Sequence, residues 1–120
     1  MKLNLMTIHV ADLETSLRFY HVLMGLPMIS RFSAHGTEIA MLGENDQPRL
    51  ELVGDGVSAG NGAGLSVGLK TDDLDEAMAA LKDQGVSFEE IISPGPHVRF
   101  AFTRDPDGYT VQILEEVRKG

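Results

Sequence analysis

The sequence predicts an α+β fold: two βαβββ modules forming an eight-stranded cupped sheet with the helices on the outside, the two modules making one compact domain. Three observations predict it. Shifting the chain by 61 positions lays Asp12-Leu13 on Asp73-Leu74, Leu17 on Met78, and Leu50-Glu51-Leu52 on Val111-Gln112-Ile113. The same shift lays the turn Asn45-Asp46-Gln47 on Pro106-Asp107-Gly108. Within each half the signals run in one order: an alternating strand, an amphipathic helix with an acidic cap, and three short strands. A period this long with only two copies points to duplication of a half-domain rather than a solenoid.

In the first half, Met6, Ile8 and Val10 alternate with Leu5, Thr7 and His9, so this strand has two differently used faces. Asp12 reads as a helix N-cap, and the stripe Leu13, Leu17, Tyr20, Met24 has helical spacing that Gly25 ends. Strands are expected at Pro27 to Ser33, Thr37 to Leu42 and Arg49 to Val53, separated by His35-Gly36 and by the turn-rich run Gly43 to Pro48. In the second half, Ser66 to Thr71 is the first strand. Asp73 with Glu76 forms a capping box, Leu74, Ala77, Met78 and Leu81 form the buried stripe, and Gly85 ends the helix. Val86 to Ile92, Val98 to Thr103 and Tyr109 to Glu115 are the last three strands, with Asp105 to Gly108 as the final hairpin turn. The modules therefore span residues 1–53 and 65–120, joined by a glycine-rich linker at 54–64.

Composition narrows the function. A net charge of -8 leaves too few clustered cations for a nucleic-acid backbone or an anionic membrane. No apolar run is long enough to span a bilayer and no signal-peptide pattern opens the chain, which predicts a cytoplasmic protein. With no cysteine, disulfides, thiolate nucleophiles and sulfur ligands are excluded. Two familiar patterns match in letters and fail in context. Gly54 to Ala59 fits a dinucleotide fingerprint, but glycines follow where a helix is required. Gly64 to Gly68 fits a nucleophile elbow, but Ser66 opens a strand and the helix begins well downstream.

The run Val10-Ala11-Asp12-Leu13-Glu14-Thr15-Ser16-Leu17-Arg18-Phe19-Tyr20, then Leu23-Met24-Gly25-Leu26, resembles the first module of the vicinal oxygen chelate superfamily. Asp105-Pro106-Asp107-Gly108-Tyr109 before Val111-Gln112-Ile113 resembles the end of its second module. That superfamily includes glyoxalase I, fosfomycin resistance proteins, extradiol dioxygenases and bleomycin-binding proteins. The resemblance implies paired modules whose eight strands curl around a cavity, often completed by a dimer partner, so a homodimer is expected.

In the catalytic members, metal ligands lie seven residues before each helix-capping Asp and on the last strand of each module. In this chain those positions are Leu5, Ser66, Glu51 and Gln112. Only Glu51 is a strong ligand, whereas a catalytic metal takes about three protein ligands and keeps one position open. His9 cannot fill the vacancy, because four residues of strand place it about 13 Å beyond Leu5. His21, His35 and His97 read as surface or turn histidines. We therefore expect no metal and no cofactor.

Strand alternation turns Leu5, Thr7, His9, Ser66, Gly68, Lys70, Arg49, Glu51, Val53, Thr110, Gln112 and Leu114 toward the concave side. Phe100 and Phe102 are aromatic walls by repeat and family analogy, or else plain core. The candidate ligand-binding set is accordingly Leu5, Thr7, His9, Arg49, Glu51, Ser66, Lys70, Phe100, Phe102 and Gln112. Such a lining suits a small organic ligand, and the acidic surface favours a cationic one. The expected function is metal-free small-molecule binding of the bleomycin-resistance type. The alternative is a glyoxalase-like lyase or isomerase in which Glu51 acts as general base; a third is a structural or interaction module whose cavity is filled by side chains, and Glu51 itself has a further reading as a relic paired with Arg49 or Lys70.

Overall fold

The computed structural model describes residues 2–56 and 65–116, and most of the expected linker, 57–64, lies outside the described residues. Two compact units, Met1–Gly60 and Asn61–Gly120, each carry one module.

The first unit contains β1 (Leu5–His9), α1 (Leu13–Leu17) running into a π-helical stretch (Arg18–Leu23), β2 (Met28–Ala34), β3 (Thr37–Leu42) and β4 (Arg49–Gly54). Its sheet has the order β1-β4-β3-β2, with β1 parallel to β4 and the other pairs antiparallel. The second unit repeats this with β5 (Ser66–Lys70), α2 (Leu74–Asp83), β6 (Ile92–Gly95), β7 (Val98–Arg104) and β8 (Thr110–Glu116), in the order β5-β8-β7-β6. The α+β class, the duplicated module and the eight strands are as the sequence predicts. No helix among the described residues is long and apolar enough to cross a membrane.

Each helix starts where its acidic cap lies. Asp12 accepts the Glu14 N–H and Asp73 the Glu76 N–H, both at 3.0 Å, satisfying donors that have no partner within the helix. The reciprocal limb of the capping box is replaced: the Asp73 N–H goes to the Thr71 hydroxyl at 3.4 Å, not to Glu76. Each helix covers one face of its own sheet. Ile8, Val10, Leu13, Leu17, Leu42, Leu50 and Leu52 form the first core, and Val67, Leu74, Met78, Leu81, Val111 and Ile113 the second. Full burial of one such aliphatic side chain contributes roughly 1.5–3 kcal/mol.

Two expected elements differ. The first helix widens after Leu17: the Met24 N–H reaches back five residues to the Phe19 carbonyl at 2.8 Å. The wider turn lets the adjacent rings Phe19 and Tyr20 both be buried, edge to face with centroids 5.0 Å apart, where a strict helical stripe buries only Tyr20. The strand expected at Val86 to Ile92 forms instead at Ile92–Gly95. Ser87 and Glu89 each make one bond to β7, through the Thr103 hydroxyl and the Phe102 carbonyl, but no ladder. Pro94 lacks an N–H and the β6/β7 register slips between Ile92 and Gly95, so pairing there is short. The hairpin turns fall as expected, with His35 and Gly36 both at positive φ (52° and 79°). Asp105 fixes the last turn by accepting N–H bonds from Asp107 and Tyr109 at 2.9 and 2.8 Å.

Candidate functional site

The face of each sheet away from its helix carries the residues that the sequence singles out. On the first sheet these are Leu5, Thr7 and His9 of β1 and Arg49, Glu51 and Val53 of β4, paired in register as Leu5–Arg49, Thr7–Glu51 and His9–Val53. The buried positions Ile8, Leu50 and Leu52 alternate with them. The Thr7 hydroxyl donates to Glu51 Oε1 across the pair at 2.6 Å. Glu51 is therefore no relic paired with Arg49: neither partner's charge is matched by the other within 4.0 Å among the described residues. Arg49 Nε is buried and has no hydrogen-bond partner among the described residues. His9 Nδ1 meets Asp55 Oδ2 at 2.6 Å, a pairing that sequence spacing does not reveal because Asp55 lies just beyond the end of β4.

On the second sheet the corresponding face carries Ser66, Gly68 and Lys70 of β5 opposite Thr110, Gln112 and Leu114 of β8. Gly68 stands where the first module has Thr7, and a Cβ there would lie 3.5 Å from Gln112 Oε1. The Gln112 amide thus passes over a bare backbone, whereas Glu51 is gripped by a hydroxyl. Phe100 and Phe102 of β7 lie on this same face, half-buried and edge to face with centroids 5.5 Å apart, while Ala101 and Thr103 take the buried side. They are not plain core. Of the other histidines, His21 is half-buried and bonds the Leu26 carbonyl at 2.7 Å, closing the end of the helix rather than sitting free on its surface.

Ion pairs that the sequence does not disclose lie on the opposite faces. Arg31 of β2 bonds Glu14 in the first turn of α1 and Glu38 of β3, and both raise its pKa. Arg99 of β7 bonds Asp75 in the first turn of α2 at 2.9 Å and Glu115 of β8 at 3.2 Å, which raises its pKa likewise. Glu115 also accepts the Leu74 N–H at 2.9 Å, and that bond, with the guanidinium, lowers its pKa. Glu14 and Asp75 occupy equivalent positions of the repeat. These clamps hold helix to sheet and leave the other faces for function.

The four family ligand positions hold an alkyl group (Leu5), a carboxylate (Glu51), a hydroxyl (Ser66) and an amide (Gln112). Leu5 is moreover the register partner of Arg49, so the position opposite this leucine holds a cation and not a donor for a metal. Among the described residues no three His, Asp or Glu side chains converge. This donor set does not fit a catalytic divalent metal, which needs about three strong protein ligands.

Residues 2–113 match the profile of the Glyoxalase/Bleomycin resistance protein/Dioxygenase superfamily. A lactoylglutathione lyase of Neisseria meningitidis is 29% identical over 127 residues, covering 97% of this chain and 91% of the relative. TnmS3, an antibiotic binding protein from Streptomyces sp. CB03234, superposes with a TM-score of 0.80 at 24% identity, covering 97% of this chain and 96% of its own. Leishmania major glyoxalase I superposes with a TM-score of 0.81 at 23% identity over 97% of this chain and 87% of its own. At these identities the two structures establish a shared fold and nothing more. With duplicated modules, strand order and profile in agreement along nearly its whole length, the chain belongs to the Glyoxalase/Bleomycin resistance protein/Dioxygenase superfamily.

Proposed function

We propose that this chain is a cytoplasmic small-molecule-binding member of the superfamily that works without a metal. The observation that carries this reading is the donor set: of Leu5, Glu51, Ser66 and Gln112 only Glu51 is a strong ligand, and Thr7 already engages it. Each of the faces bearing these positions mixes apolar groups with a few polar ones, the second including the Phe100–Phe102 pair, as a surface for an organic ligand does. TnmS3, with the same fold, is an antibiotic binding protein, which supports the reading. Equilibrium dialysis against a panel of anionic, cationic, neutral and zwitterionic organic molecules tests it. Saturable binding of one class by protein stripped of metal is expected, and failure of the whole panel to bind overturns the reading.

A second reading has its own support, since relatives matching 97% of this chain are lactoylglutathione lyases. Glu51 would then be a general base acting without a metal. Turnover of the hemithioacetal of methylglyoxal and glutathione, abolished in Glu51→Gln, would replace the binding proposal with this one.

A further inference from the structure

We propose that Arg49 and Glu51 form a two-point receptor for a small carboxylic acid that carries a hydrogen-bond donor at its far end. This inference rests on the binding reading above and names the ligand class for the first module.

Arg49 stands apart from the other arginines of the sheets. Arg31 and Arg99 each bond two carboxylates, and Arg104 bonds the Gly108 carbonyl. Arg49 Nε is withdrawn from solvent and has no acceptor among the described residues. Proteins rarely leave such a donor unmatched, and a guanidinium cannot escape by losing its proton. The nearest carboxylate along its strand is Glu51, two residues on and on the same face, yet it is held by Thr7. The hydrogen bond given to Glu51 comes from Thr7 on β1, and no ion pair joins it to Arg49 among the described residues.

The result is a cation and an anion on one face of one strand, on residues whose Cα atoms lie about 6.6 Å apart, the Arg49 Nε–H without an acceptor and one Glu51 oxygen without a donor among the described residues. The register places Leu5 opposite Arg49 and Met41 opposite Glu51, so aliphatic groups flank both ends. A guanidinium edge presents parallel N–H donors to a planar carboxylate, a match that an ammonium lacks. The remaining Glu51 oxygen accepts from a hydroxyl or ammonium. The net charge of -8 favours a cation at long range, but that field is screened beyond about 8 Å in physiological salt, whereas Arg49 selects at contact. A ligand with both ends satisfies both.

The test is an NMR titration of the full-length ¹⁵N-labelled protein with 4-(aminomethyl)benzoate, its methyl ester and 4-methylbenzoate, run beside the dialysis panel. The Arg49 Nε–H resonance, assigned by its loss in Arg49→Gln, is expected to move saturably with the free acids and not with the ester. Arg49→Gln is expected to weaken 4-(aminomethyl)benzoate at least tenfold. Arg49→Lys, which keeps the charge and loses the fork, should weaken it less. Glu51→Gln should weaken 4-(aminomethyl)benzoate and leave 4-methylbenzoate unchanged. The acid–ester comparison in the wild type needs no variant to fold. Equal binding of acid and ester, or an acid affinity indifferent to Arg49→Gln, overturns the inference. If only members of the panel without a carboxylate bind, the inference falls while the binding reading stands; if nothing binds, both fall.

Discussion

Thr7 on β1 and Glu51 on β4 face each other across a parallel strand pair, the hydroxyl donating to the carboxylate at 2.6 Å. The carboxylate at a family metal position is thereby committed to a neighbouring side chain while the position seven residues before Asp12 holds Leu5.

The expected consequence is protein free of stoichiometric transition metal when purified without chelator or affinity tag. The variant Leu5→His, Ser66→His, Gln112→Glu restores strong donors at the family positions and is expected to bind zinc at micromolar levels. Elemental analysis checks both. One tightly held metal per wild-type chain would refute the metal-free proposal.

Gly54 and Gly68 should respond unequally to a methyl group. A Cβ on Gly54 would lie 2.9 Å from Leu13 Cβ, a close approach of β4 to α1 that only glycine permits. Gly54→Ala is expected to destabilise by about 1–3 kcal/mol, as overpacking does. At Gly68 the nearest atoms are 3.5 and 3.7 Å away, in ordinary contact, so Gly68→Ala should change stability by less than about 1 kcal/mol. Urea denaturation at matched m-values measures both.

Glu115 links stability to pH. Its pKa is lowered in the folded state by the Leu74 N–H and then by Arg99, so its contribution is complete above the unfolded glutamate value of 4.5. That contribution is lost as pH falls through the lower folded value. Glu115→Gln is expected to melt below wild type at neutral pH, with the gap closing progressively below pH 4.5. A gap independent of pH would mean that the carboxylate's charge is not what holds Leu74 and Arg99.

We also propose a homodimer, in keeping with the family resemblance. Leu3, Val22, Phe32, Ile91 and Ile92 are large apolar side chains left exposed. Light scattering is expected to give twice the 13.0 kDa chain mass at high concentration. A single-chain mass throughout the concentration range would dismiss the proposal.

Local chemistry made much of this protein legible before any coordinates. The acidic caps Asp12 and Asp73, the strand alternation around Ile8 and Leu52, and the 61-residue repeat are statements about neighbours in sequence, and the fold follows them. The two faces of β1 and β4 were legible because a side-chain period of two leaves no other assignment once one face is apolar. Tertiary structure decided the rest, because the deciding partners are remote in the chain. Whether Glu51 would bond Thr7 or Arg49 within its own sheet depended on strand register, and parallel pairing of β1 with β4 gave it to Thr7. His9 found Asp55, Arg99 found Asp75 and Glu115, and Phe19 entered the core through a widened helical turn that no apolar stripe records. Composition alone suggested a cationic ligand; burial of an unpartnered Arg49 Nε, a property of packing and not of charge count, points to an acid.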